Sequence, residues 1–90
     1  MFTASTVRTE VMAMRELVEI MAKALADNPD QLEVSEIVGS DTLVIELRPA
    51  KEDIGKIIGK KGRNVQAMRT LLNAAAGKLR KRVVLEIIDQ

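Results

Sequence analysis

The chain has 90 residues, 47% of them hydrophobic and 30% charged, with five glycines, two prolines and a net charge of +1. This is the length and balance of one folded domain with one core, and it excludes a disordered or fibrous chain. Cysteine and histidine are both absent, which excludes disulfides, a Cys/His zinc site, a thiol nucleophile and any catalytic dyad or triad built on imidazole.

Residues 1–5 match no pattern and read as a tail ahead of a single domain over residues 6–89. Met1 to Val7 carries no charge ahead of an apolar block, so no secretory signal is expected. No apolar run approaches the ~20 residues needed to span a bilayer, and a cytoplasmic protein is the expectation. Val7, Val11, Met14, Val18, Met21 and Leu25 recur in steps of four and three, which predicts a helix over residues 6–27. Leu17, Ile20 and Ala24 widen its apolar face. Ser5 or Thr6 can cap its start, and Asn28 before Pro29 stops it.

Residues 32–38 and 42–48 predict two strands around the turn Gly39-Ser40-Asp41. Leu43, Ile45 and Leu47 alternate with Glu46 and Arg48, so one face of the second strand is expected to be buried. Pro49 ends it. Ile54, Ile57 and Ile58 predict a short helix that stops at Gly59, and Val65, Met68, Leu72, Ala75 and Leu79 predict a longer one from Arg63, weakened near Gly77. Residues 82–88, rich in β-branched side chains, predict a third strand. Three strands cannot cover themselves, so the three helices should pack on one face of the sheet in an α+β fold.

The charge is unevenly placed. Residues 1–50 hold four basic and nine acidic residues, a balance of −5, and residues 51–90 hold ten basic and four acidic, a balance of +6. A basic segment in a neutral protein suggests a local anion site or, equally, a solvated surface. At its centre lies Gly59-Lys60-Lys61-Gly62, four residues joining the two later helices. Glycine admits backbone angles closed to other residues and lets a phosphate reach the main chain. The helix that follows offers unpaired N–H groups and a positive dipole end. The spacing is wrong for a P-loop, because three residues separate Gly55 from Gly59 and Lys61 follows Lys60 where Ser or Thr is needed. A plain tight turn, with glycine as helix cap and lysines for solubility, explains the same residues.

Ile57-Ile58-Gly59-Lys60-Lys61-Gly62, with Val65 three positions on, resembles the signature of KH domains. The helix-strand-strand-helix-helix-strand order resembles the type II arrangement. Residues 53–63 with Arg69-Thr70-Leu71-Leu72 resemble the small single-domain bacterial KhpA family. The resemblance implies single-stranded RNA binding, with the loop holding about four nucleotides of backbone. It implies that Gly59, Lys60, Lys61, Gly62 and Arg63 hold phosphates, that Gly55, Lys56 and Ile58 wall a groove for bases, and that Asn64 stands at its mouth. Ile58 equally fits a core position, and Gly55 equally fits close helix-strand packing. Phe2 is the only aromatic residue, so the stacking platforms of other RNA modules cannot be built. Lys78, Arg80, Lys81 and Arg82 extend the phosphate track or form a solvated loop, and Arg69 reads as an intramolecular ion pair.

The expected function is therefore non-catalytic RNA binding, as an RNA chaperone or post-transcriptional regulator. No cofactor is expected. Because one short site binds weakly, a homodimer is expected, met through the Met-bearing stripe of the first helix or through residues 73–77. The resemblance also implies a complex with a second KH protein, KhpB (also called Jag or EloR). Single-stranded DNA is an open variant, a protein-protein scaffold with a vestigial loop is the alternative function, and an enzyme ranks last.

Overall fold

The computed structural model describes residues 4–89, and only the backbone at residues 4–7 and Lys78. The expectations for Met1 to Thr3 and for the side chains of Val7 and Lys78 lie outside the described residues.

The element order is α1 (Ala4–Leu25), β1 (Glu33–Val38), β2 (Thr42–Arg48), α2 (Ile54–Ile58), α3 (Arg63–Ala75) and β3 (Arg82–Ile87), with single 3-10 turns at Pro29–Gln31, Lys51–Asp53, Lys60–Gly62 and Ala76–Lys78. Helix α1 runs straight through Ser5 and Thr6, so neither is its cap. It ends at Leu25, short of residue 27, and Asn28 has already left helical angles at φ −120°, ψ 63°. Its buried stripe is Val11, Met14, Val18 and Ala22, while Ile20, expected on that face, is 68% exposed. At 3.6 residues per turn, Ala22 continues the line from Val11 through Val18, and Ile20 lies well off it.

The sheet has the order β1-β2-β3. β1 and β2 form an antiparallel hairpin with Val34 opposite Leu47 and Val38 opposite Leu43, closed by Gly39 N–H donating to Thr42 O at 2.7 Å. β3 lies parallel to β2, with Leu43 beside Val83 and Ile45 beside Leu85. Parallel neighbours cannot be joined by a tight turn and need a long crossover. That crossover is α2, the glycine loop and α3, so the sheet topology itself sets the loop outside the core.

One face of the sheet carries the core: Leu43, Ile45, Leu47, Val83 and Leu85 pack with the α1 stripe, Ile57 of α2, and Val65, Met68 and Leu72 of α3. Leu43, Ile45, Leu47 and Ile57 have no exposed surface, and burying each stabilises the fold by ~1.5–3 kcal/mol. The fold is thus α+β, a three-stranded sheet with three helices on one face. Asp53 is the buried charge among them, 0% exposed. Its Oδ2 accepts the Asn28 backbone N–H at 2.8 Å, which ties the chain leaving α1 to the start of α2.

Candidate nucleic-acid interface

The Gly59–Gly62 loop turns on left-handed backbone. Gly59 has φ 78° and ψ 169°, Lys61 φ 57° and ψ 24°, and Gly62 φ 76° and ψ 15°. Lys61 pays for its non-glycine side chain there with ~1–2 kcal/mol of strain. Gly59 N–H donates to Gly55 O at 2.8 Å and Gly62 N–H to Gly59 O at 3.0 Å, so the turn is closed by its own backbone. The turn leads directly into the first turn of the 13-residue α3.

Lys60, Lys61 and Arg63 are exposed. Among the described residues, none of the three side chains makes a hydrogen bond or ion pair. Asp53, just upstream in sequence, does not neutralise them, because it is buried and bonded to Asn28. The loop therefore presents free cations without a carboxylate of its own.

The other expected residues separate. Ile58 is 36% exposed while Ile57 is fully buried, so the core position belongs to Ile57. A Cβ built on Gly55 meets nothing within 4 Å, which removes close helix-strand packing as the reason for that glycine. Lys56 is exposed and its ammonium pairs with Asp27 beyond the end of α1. Asn64 is turned inward: its Nδ2 donates to Lys56 O at 2.8 Å.

Sequence reasoning missed a groove of about 370 Å³ between α3 and the free edge of β3, lined by Arg69, Leu72 and Asn73 on one side and residues 82–85 on the other. The edge position of β3 follows from its parallel pairing with β2, which no local pattern reports. Arg69 makes no ion pair there; its Nη2 donates to Leu85 O at 3.2 Å. At ~1.5 Å per helical residue it stands about 10 Å along α3 from Gly62. The basic run after α3 divides: Lys81 Nζ donates to Gly39 O at 2.7 Å and Ser40 O at 2.9 Å, so Lys81 braces the hairpin turn, whereas Arg80 and Arg82 are exposed.

The family model described as KhpA/KhpB, KH domain, matches residues 15–87. The chain belongs to this KH-domain family. The match starts inside α1 and includes every strand, the loop and α3. The chain is 60% identical over 75 residues to an RNA-binding protein KhpA of Caldanaerobacter subterraneus subsp. tengcongensis, covering 83% of this chain and 100% of that protein. It is 52% identical to an RNA-binding protein KhpA of Clostridium acetobutylicum, with the same coverage. A third relative of that name, from Aquifex aeolicus, is 51% identical over 77 residues, 86% of this chain and 98% of its own. No solved structure matches the chain. Among the described residues, no helix is long and apolar enough to cross a membrane, and no group of three or more His, Cys, Asp or Glu could hold a metal ion.

Proposed function

We propose that this chain is a non-catalytic, single-stranded RNA-binding protein that holds the RNA backbone at Gly59-Lys60-Lys61-Gly62 and acts as an RNA chaperone or post-transcriptional regulator in the cytoplasm. The observation that carries the proposal is the loop itself, with three unpaired cations around a left-handed turn at the start of α3. A phosphate there meets N–H donors, a helix dipole and ammonium groups together. The relatives named RNA-binding protein KhpA support RNA as the anion.

Gly59, Lys60, Lys61, Gly62 and Arg63 take the phosphates. Gly55, Lys56 and Ile58 form an exposed shoulder beside the loop, where an apolar side chain and open backbone suit a base. The α3–β3 groove, with Arg69 and Arg82 at its wall, continues the path. One such site contacts few nucleotides, so useful affinity calls for two sites acting together. The core takes up Met14 of the Met-bearing stripe, while Met12 and Ile20 of α1 and Leu71 of α3 stay exposed, so either helix offers apolar surface to a second copy or to KhpB. The pairing of KhpA and KhpB in one family description is the support for that partner.

The test is binding of the wild type and the Lys60→Asp, Lys61→Asp double variant to a randomised single-stranded RNA pool, with circular dichroism on both. Binding lost by the folded variant is the expected result. Equal binding by both, or none by either, would reject the clamp and favour a protein-protein scaffold.

A further inference from the structure

We propose that Asn64 is a positioning residue of the loop rather than a contact to the ligand: its side chain latches the end of α2 to the start of α3 and holds the Gly59–Gly62 turn in its binding shape. The inference rests on the RNA-binding reading above and assigns Asn64 a different part in it from the groove-mouth contact expected from sequence.

Three observations converge. α2 has five residues, so its last carbonyls lack helical partners and must find others. Gly55 O receives the Gly59 N–H at 2.8 Å, and Lys56 O receives the Asn64 amide at 2.8 Å. Only the amide nitrogen of Asn64 can face a carbonyl, so its orientation is fixed by chemistry. Second, a Cβ built on Gly59 falls 2.7 Å from Asn64 Cγ, 2.8 Å from Nδ2 and 2.9 Å from Cβ. The asparagine therefore lies directly on the Gly59 main chain. Gly59 is glycine for two reasons, its φ of 78° and the side chain pressed against it.

Third, the Asn64 bond encloses the loop. Residues 56 and 64 are joined across it, and the Gly62-to-Gly59 bond lies inside that ring. Closing the base of a short loop removes conformations that would otherwise be lost on binding, so the gain appears as affinity without a contact to the ligand. Lys60, Lys61 and Arg63 stay exposed.

The test uses Asn64→Ala, which removes the donor and the packing, and Asn64→Leu, which keeps the volume and removes the donor. Both are checked by circular dichroism, and the leucine variant carries the test where the alanine variant does not fold. Two quantities are read on the full chain: exchange of the Gly62 amide in RNA-free protein, and affinity for a randomised single-stranded RNA pool at several salt concentrations. Loss of one hydrogen bond predicts Gly62 exchange faster by about 2- to 10-fold and RNA affinity weaker by about the same factor, with an unchanged salt slope because no phosphate contact is removed. Weaker binding with wild-type Gly62 exchange would make Asn64 a direct contact and overturn the proposal, as would no change in either quantity. If the wild type fails to bind, or binds no better than Lys60→Asp, Lys61→Asp, the RNA clamp falls and the positioning role with it. Faster Gly62 exchange would then still show the latch as a purely structural one.

Discussion

Two short glycine-bearing turns of this molecule, Gly39-Ser40-Asp41 and Gly59-Lys60-Lys61-Gly62, are finished oppositely. The carbonyls of the hairpin turn are met from within the fold: Lys81 Nζ donates to Gly39 O and Ser40 O, and the Arg82 backbone N–H donates to Asp41 O at 2.8 Å. The glycine loop instead presents Lys60, Lys61 and Arg63, and among the described residues no side chain answers these three cations. A turn whose polarity is matched from within is structural. One left with an unmatched polarity suits a ligand of the opposite sign, the phosphate backbone of the proposal above.

The largest expected effect comes from erasing that contrast. Giving the glycine loop the chemistry of the hairpin turn, through Lys60→Ser with Lys61→Asp, should lower affinity for single-stranded RNA by ~100-fold or more at low salt, read by fluorescence anisotropy, with the far-UV spectrum unchanged. Next, the two glycines that open the turns should differ. Gly59→Ala meets Asn64 at 2.7 Å and keeps φ at 78°, so it should destabilise by ~1–3 kcal/mol in urea unfolding. Gly39→Ala meets the Thr42 backbone, O at 3.1 Å and N at 3.9 Å, without a positive φ, and its loss should stay below ~1 kcal/mol. Lys81→Ala removes two hydrogen bonds from the hairpin turn. It should cost about 1 kcal/mol of stability and leave the salt dependence of RNA binding unchanged, since that lysine faces carbonyls and not phosphate.

Much of this was legible in the residues. The alternation of Leu43, Ile45 and Leu47 gives the buried face of β2, and the Ile57-Ile58-Gly59 run places α2 and its stop within a residue. The loop was visible as the one stretch where glycine and lysine alternate with no acid between them. What stayed hidden depends on contacts distant in sequence. Asp53 is a surface acid by type, and only its bond to Asn28, 25 residues away, explains its burial. Lys81 belongs to a basic run, and its reach to Gly39 spans 42 residues. Ala22 lies on the buried stripe four residues after Val18, but its small side chain carries a weaker apolar signal than Ile20, which stands only two residues after Val18 and is exposed. The α3–β3 groove exists only because β3 is an edge strand.

The direct test of the clamp is the slope of log affinity against log salt for a short single-stranded RNA, measured for the wild type and for Lys60→Asp, Lys61→Asp. Contact with ~3 phosphates predicts a wild-type slope of roughly −2, and loss of two of those contacts predicts a slope near −0.7 in the variant. Parallel slopes in the two proteins would place the phosphates elsewhere and contradict the assignment of the loop.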